Sequence, residues 1–319
     1  MSQLLSVVVP VYNESEVLEE FHGRLLAVMD TLALPYRVLY VDDGSEADFL
    51  GQLLALREKD ERVAVLELSR NFGKEVALSA GLDHAEGDAV IVIDADLQDP
   101  PELIATFVEE WRNGYDVVYG QRSERRGETA MKRYTAGAFY RLMSLLGDVD
   151  IPRNVGDFRL LSRRAVDALK ALPERRRYMK GLYAWIGFPQ KAVSYVREPR
   201  AAGETKWSYW RLWNFALEGI TSFSAAPLKM ATYLGLLTSI FSLLYGVYFL
   251  VRTLLFGNPV PGYPSLILVV LFLGGVQLIC LGIIGEYLAR TYQESKGRAL
   301  YFLKGYHPAS NAVTDDETA

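Results

Sequence analysis

The residues with the clearest capacity for chemistry are two carboxylates and an amide that follow a run of β-branched residues. Residues 90–93 are Val-Ile-Val-Ile, and Asp94, Asp96 and Gln98 come directly after them. Side chains alternate along an extended backbone, so these three are predicted to point to one side. Their oxygens suit a hard divalent cation such as Mg²⁺ or Mn²⁺. The alternative is an acidic turn in which Asp99 caps the next helix and Pro100 is its first residue.

Alternating strand and helix patterns in residues 1–120 predict the elements that position these side chains. The strands are predicted at 4–9, 36–41, 63–68, 89–93 and 115–119, and the helices at 15–32, 48–59, 73–85 and 101–112. This alternation is typical of an α/β fold in which a parallel sheet is covered by helices on both faces. Ligands of such sheets bind beyond the carboxyl ends of the strands.

Four polar loops are predicted to meet at that edge of the sheet, and three of them contain acids. They comprise residues 11–14, 42–45, 69–74 and 94–98. The sequence has no G-x-G-x-x-G after its first strand and no G-x-x-x-x-G-K-[ST] motif, so glycine-rich loops are not expected to hold phosphates. Carboxylates bind an anionic diphosphate only through a cation. The loops therefore predict an acidic site for a metal-bound nucleotide diphosphate.

Charge is distributed unevenly along the chain. Residues 1–120 contain 8 Lys/Arg and 24 Asp/Glu, whereas residues 121–211 contain 20 and 9. No recognised nucleic-acid motif accompanies the basic part, so nucleic acid is not an expected partner. Because the basic part runs into a hydrophobic region, anionic lipid headgroups or a phosphorylated substrate are the expected partners.

Two stretches without charged residues, 231–251 and 265–285, are each long enough to span a membrane. The balance of flanking Lys and Arg predicts a multi-pass protein with both termini in the cytoplasm. No N-terminal signal peptide is expected, and the single Cys280 fits a reducing compartment. Glycines in the second span favour close helix packing, which makes a homo-oligomer a further expectation. The acidic tail from His307 onward is predicted to be disordered.

Five motifs of the sequence occur together in one known family. They are Pro-Val-Tyr-Asn-Glu (10–14), Asp-Asp-Gly-Ser (42–45), Arg-Asn-Phe-Gly-Lys (70–74), Asp-Ala-Asp-Leu-Gln-Asp-Pro-Pro (94–101) and Asn-Val-Gly-Asp-Phe-Arg-Leu (154–160). In combination they resemble the inverting glycosyltransferases of the GT-A fold. The similarity is greatest to polyprenyl-phosphate glycosyltransferases, relatives of dolichol-phosphate mannose synthase, and within them to the bactoprenol-phosphate glucosyltransferase (GtrB-like) type.

The resemblance implies four regions. These are a cytoplasmic GT-A domain over 1–208, interfacial helices over 209–228, two transmembrane helices over 229–290 and a cytoplasmic tail over 291–319, in the inner membrane. The implied reaction moves a hexose, glucose from UDP-glucose, to undecaprenyl phosphate with inversion, for cell-envelope glycosylation. The alternatives are a GDP-mannose or other UDP-sugar donor, or a non-catalytic subunit that binds nucleotide sugars.

The resemblance also implies roles for individual residues of the donor site. Asp96 and Gln98, with Asp94, would hold Mg²⁺ or Mn²⁺ on the diphosphate, and Asp94 would also contact the nucleotide. Lys74 would lie near the nucleotide, and its alternative role is a solvated lysine at a helix start. The residues implied to bind the nucleoside are Pro10, Tyr12, Glu14, Asp42 and Asp43.

Asp157 is implied to be a catalytic-centre carboxylate alongside Asp96. Two roles are open for it: a general base, or a group that orients the acceptor or stabilises the oxocarbenium-like sugar. A polyprenyl phosphate also needs cations, and Arg122, Arg200 and Lys206 are the candidates because Arg122 follows the fifth strand and the others flank a glycine-containing loop. Amphipathic segments around 134–145 and 210–220 are predicted to lie at the membrane interface.

Overall fold

The computed structural model describes residues 3–123, 152, 154–175, 177–196, 224–257 and 262–310. The strands in these residues are β1 (Leu5–Val11), β2 (Tyr36–Asp42), β3 (Val63–Leu68), β4 (Ala89–Val92), β5 (Val117–Arg122), β6 (Val155–Ser162), β7 (Gln190–Tyr195) and β8 (Leu303–His307). The helices are α1 (Leu18–Thr31), α2 (Ala47–Lys59), α3 (Lys74–His84), α4 (Ile104–Arg112), α5 (Arg163–Ala171), α6 (Met179–Trp185), α7 (Ala226–Phe256) and α8 (Tyr263–Ser295).

The strands form one mostly parallel sheet in the order β7-β5-β6-β4-β1-β2-β3-β8. Its centre confirms the prediction, because β4, β1, β2 and β3 pair in parallel. The fifth predicted strand, β5, does not join them directly. Instead β6 lies between β4 and β5, antiparallel to both. The mixed sheet with helices on both faces is the predicted GT-A architecture.

The apolar residues of the central strands face both ways, as a sheet covered on two faces requires. On one face Phe21 of α1, Phe49 of α2 and Phe107 of α4 join a fully buried core. On the other face α3, α5 and α6 pack against the sheet. Gly81 permits the close approach of α3, because a Cβ there would lie 2.3 Å from Cγ1 of Val8.

The segment after α8 returns to the sheet, which corrects the prediction of disorder from His307 onward. β8 pairs antiparallel with β3 at the sheet edge. Beyond the strand, Ala309 is buried and the Ser310 N–H donates to the Glu61 carbonyl at 3.0 Å. The acidic composition that suggested disorder belongs to residues 311–319, which lie outside the described part of the chain.

The two predicted apolar spans lie within α7 and α8, which contain 31 and 33 residues. Both helices are long and apolar enough to cross a membrane. Their large side chains are mostly exposed, including Phe241, Leu254 and Leu271. Such an apolar surface requires a nonaqueous environment, so the protein is membrane-associated.

Candidate active site

The loops that follow β1 and β2 are braced against each other at the carboxyl edge of the sheet. The backbone N–H of Asn13 donates to Oγ of Ser45 at 3.1 Å, and Oδ1 of Asn13 accepts from the N–H of Glu46 at 2.9 Å. Pro10 is buried at the end of β1, while Tyr12 is 48% exposed and Glu14 is half-buried. The predicted nucleoside-binding residues of the first loop therefore range from a buried Pro10 to an exposed Tyr12 at the carboxyl edge of the sheet.

Asp42 and Asp43 are both buried, and their carboxylates hold loop backbone. Asp43 accepts from the N–H groups of Phe72 at 2.7 Å and Gly73 at 2.9 Å. Asp42 accepts from the Ser45 N–H at 3.1 Å. Burial raises the pKa of each carboxyl, despite the hydrogen bonds that lower it. Asp43 thus fixes the loop that leads into α3.

Lys74, the first residue of α3, joins two carboxylates from different strands. Its Nζ lies 2.6 Å from Oδ2 of Asp94, after β4, and 2.7 Å from Oδ2 of Asp157, in β6. Lys74 begins α3 and 44% of its side chain is exposed, as expected of a solvated lysine at a helix start, but its ammonium is also paired with both carboxylates. Burial lowers the pKa of the ammonium, but the two carboxylates outweigh it and hold that pKa well above its usual range.

Asp157 is buried, with 8% of its surface exposed. Its Oδ1 has no hydrogen-bond partner among the residues that the structure describes. Burial raises the pKa of this carboxyl, but the charges of Lys74 and, farther away, Lys180 lower it by more. Asp157 is thus held as a carboxylate, and its second oxygen is buried without a hydrogen-bond partner in the described part of the chain.

The segment from Asp94 to Gln98 is a turn, which corrects the prediction that it is extended. β4 ends at Val92, and Leu97 has a φ of 57°. The Gln98 N–H donates to Oδ1 of Asp96 at 3.2 Å, which bends the chain so that alternation no longer applies. Gln98 is consequently buried, whereas Asp94 and Asp96 are half-buried at the edge of the sheet.

The carboxylates of this turn fit a divalent cation that takes most of its ligands from elsewhere. Within the described ranges, no three His, Cys, Asp or Glu side chains are grouped so as to hold a metal ion. Mg²⁺ is commonly bound through one or two carboxylates together with substrate phosphates and water. Asp94 and Asp96 are the two carboxylates within this turn.

Asp99 does not cap the next helix, since the cap position is Pro100 and no side chain caps it. Asp99 is buried, accepts a short hydrogen bond from the Tyr195 hydroxyl and pairs with Arg122 at 3.5 Å. Arg122 also donates through Nε to that hydroxyl at 3.2 Å. The Arg122 guanidinium, which is predicted to bind the acceptor phosphate, thus links β5 to β7 and to Asp99, the residue that follows the 94–98 turn.

Four polar residues beside Asp157 were missed by the sequence analysis. Arg159 and Tyr183 are buried, and Glu75 and Lys180 are half-buried. Burial, and then the charge of Asp157, raise the pKa of Glu75 to about 7. The available signal was Arg159, which lies two residues after Asp157 on the same face of a strand.

The other predicted acceptor residues, Arg200 and Lys206, lie outside the described residues, as do the amphipathic segments 134–145 and 210–220. The candidate site within the described residues therefore consists of the loops after β1, β2, β3 and β4, Asp157 and the side chains around it.

A mostly parallel sheet with two carboxylates in a turn at its carboxyl edge defines the class as GT-A. Comparison with known families agrees with this class: residues 6–170 match Glycosyl transferase family 2, and residues 226–291 match the GtrB C-terminal hairpin. The chain belongs to glycosyl transferase family 2 and is a glycosyltransferase.

Relatives of known name align with almost the whole chain. An uncharacterized glycosyltransferase of Synechocystis sp. is 54% identical over 299 residues, which are 94% of each chain. The bactoprenol glucosyl transferase of Shigella phage SfV is 48% identical over 94% of this chain and 98% of its own. A prophage bactoprenol glucosyl transferase homolog of Escherichia coli K12 is 46% identical with the same coverage. The predicted resemblance is confirmed.

Proposed function

We propose that the protein transfers glucose from UDP-glucose to a polyprenyl phosphate, with inversion at the anomeric carbon. The names of its relatives support both the sugar and the lipid acceptor. The apolar α7 and α8 support an acceptor that resides in a membrane. The product is a lipid-phosphate-linked glucose for cell-envelope glycosylation.

The observation that carries this proposal is the position of Lys74 between Asp94 and Asp157, within 2.7 Å of each. Asp94 belongs to the turn that would face the donor diphosphate, and Asp157 lies on β6 on the other side of the ammonium. One cation thus joins a donor carboxylate to a catalytic-centre carboxylate. Transfer between two bound substrates depends on holding both in one geometry, and this shared contact fixes the two carboxylates relative to each other.

The ionised state of Asp157 favours an orienting role over that of a general base. A general base works best with a pKa near the working pH, whereas the charges around Asp157 lower the pKa of its carboxyl. A phosphate monoester has its second pKa at about 6 and is already anionic at neutral pH. Asp157 therefore orients the acceptor and stabilises positive charge that develops on the sugar.

Asp94 and Asp96 would hold Mg²⁺ or Mn²⁺ against the donor diphosphate, and Gln98, which is buried in the same turn, stays the third predicted ligand. When bound, the cation would stabilise charge on the departing nucleoside diphosphate as a Lewis acid. The residues proposed to contact the nucleoside are Pro10, Tyr12 and Glu14, with Asp42 and Asp43 behind them. Arg122, Arg200 and Lys206 remain the proposed cations for the acceptor phosphate, and Arg122 also pairs with Asp99.

The path of the chain supports a topology in which the sheet and the C-terminal strand lie on one side of the membrane. α7 and α8 follow the strands β1–β7, and β8 then returns to pair with β3. A chain that spans twice and re-enters the same sheet must leave and return on one side. Most of the Lys and Arg residues that flank the two spans lie on that side, which favours the cytoplasmic side of the inner membrane.

A donor panel tests the proposed function. Purified protein in detergent would receive undecaprenyl phosphate, Mg²⁺ or Mn²⁺, and in turn UDP-glucose, UDP-galactose or GDP-mannose. Lipid-linked glucose from UDP-glucose is the expected product. Transfer from GDP-mannose alone would correct the donor, and binding of donors without transfer to lipid would identify a non-catalytic subunit.

A further inference from the structure

Strand β6 contains an irregularity at Asp157. The β5–β6 register runs from Val117↔Leu161 to Tyr119↔Arg159, then shifts and resumes at Gln121↔Val155. Three residues of β6, at 156–158, therefore lie opposite Gly120 alone. On the other side of β6, the ladder with β4 ends at Val92↔Arg159. Asp157 thus lies in a β-bulge, a feature that commonly redirects side chains next to active sites.

A bulge leaves backbone carbonyls without ladder partners, and buried carbonyls need donors. Arg159 supplies them from within the same strand. Its Nη2 donates to the Gly156 carbonyl at 2.8 Å, and its Nε donates to the Asp157 carbonyl at 3.2 Å. The planar guanidinium can reach both carbonyls at once, which an ammonium cannot do in the same geometry.

The guanidinium of Arg159 is itself held in place. Its Cζ lies 3.5 Å from the centroid of the Tyr183 ring, on α6. That helix is fixed to α3, since the Met179 N–H donates to Oε2 of Glu75 at 3.1 Å. Arg159 is only 3% exposed, so it is not a group that meets substrate directly. No ion pair within 4.0 Å joins it to an acid in the described part of the chain.

We propose that Arg159 is the positioning residue for Asp157. Its two hydrogen bonds take the place of the missing ladder bonds and fix the backbone carbonyls of residues 156 and 157. Lys74 separately pairs with the carboxylate of Asp157. This inference rests on the proposed function for its catalytic readout. Its structural readout does not, because Arg159 should hold the bulge whichever sugar is transferred.

Arg163 provides a matched control at the opposite end of the sheet. Its Nε donates to the Gly87 carbonyl at 2.7 Å and its Nη2 to the Ala85 carbonyl at 2.9 Å. Like Arg159, it donates to two backbone carbonyls through Nε and Nη2, but these carbonyls precede β4 and lie away from Asp157. Arg159→Met and Arg163→Met each remove two hydrogen bonds from a guanidinium to backbone carbonyls, and Arg163→Met also removes a 3.8 Å ion pair with Asp167.

The experiment compares these variants by amide hydrogen exchange and by steady-state kinetics with UDP-glucose and undecaprenyl phosphate. In Arg159→Met, exchange should increase in peptides covering 155–158. Its kcat should fall roughly a hundredfold, as expected for a misplacement of about 1 Å, with little change in the KM for UDP-glucose. In Arg163→Met, exchange should increase near 85–88, with kcat retained.

Arg159→Lys keeps the charge and serves as the milder variant if Arg159→Met does not fold. It should recover only part of kcat, because one ammonium cannot hold both carbonyls. Full recovery, unchanged exchange at 155–158 or equal losses of kcat in the Arg159 and Arg163 variants would overturn the inference. An inactive wild type would instead contradict the proposed function, and the exchange measurement would still decide the role of Arg159.

Discussion

The proposed donor and acceptor halves of the site hold their aspartates by different means. Asp43, in the donor half, is bound by neutral backbone N–H groups, and burial raises the pKa of its carboxyl. Asp157, in the acceptor half, is bound by Lys74, and the surrounding charges lower the pKa of its carboxyl below the usual value. The first arrangement fixes loops, whereas the second maintains a negative charge at the proposed catalytic centre.

Removing the cation that joins the halves should have the largest effect. In Lys74→Met, Asp94 and Asp157 would repel each other without an intervening charge, and kcat should fall by roughly 10²–10³. Steady-state rates with UDP-glucose and undecaprenyl phosphate measure this. Lys170, whose Nζ donates to the Asp83 carbonyl at 2.9 Å, supplies the control Lys170→Met. A Lys74→Met enzyme as active as this control would show that the halves work independently.

A conservative substitution of one aspartate in each half should affect either donor binding or kcat, by about 10- to 100-fold each. Asp96→Asn should weaken Mn²⁺-dependent binding of UDP-glucose, because it removes one of two proposed metal ligands. Asp157→Asn should lower kcat and leave donor binding nearly unchanged. Calorimetric titration together with initial rates separates these outcomes. If Asp157→Asn loses donor binding and Asp96→Asn retains it, the assignment of the halves is reversed.

The smallest expected effect concerns Glu75, which lies beside Lys74 on α3. The pKa of its carboxyl is raised from 4.5 to about 7, chiefly by burial. Between these values the folded protein retains a proton that the unfolded chain releases, so stability falls as pH rises through this range. Glu75→Gln cannot ionise, so its Tm should fall less than that of the wild type between about pH 5 and about pH 8. Parallel Tm curves would contradict this.

Much of the donor half could be predicted from sequence, because its strands follow simple physical patterns. Apolar runs such as Val63–Leu68, now β3, are buried on both faces, and the polar loops after them meet where parallel strands end. The loop over residues 94–98 was predicted at the correct end of its strand, but it was predicted as extended and is a turn. The left-handed backbone of Leu97 follows from no residue preference in the sequence, since such a φ is uncommon for leucine.

The acceptor half was harder to predict because charged side chains occupy its core. In β6, Phe158 and Leu160 face one apolar core, whereas Asp157 and Arg159 are buried on the other face. A pattern of alternating apolar and charged residues normally indicates a half-exposed strand, so it did not indicate buried charges. β8 is a half-exposed edge strand of Leu-Lys-Gly-Tyr-His, and only its partner β3 explains why it forms.

The stereochemistry of transfer tests the central claim most directly. Direct attack by the lipid phosphate, opposite a departing UDP, converts the α-linked glucose of UDP-glucose into a β-linked product. NMR of the anomeric proton in the purified glucosyl phosphate lipid would reveal the linkage. A β-linked product is predicted. An α-linked product would contradict a single displacement across the centre formed by Lys74, Asp94 and Asp157.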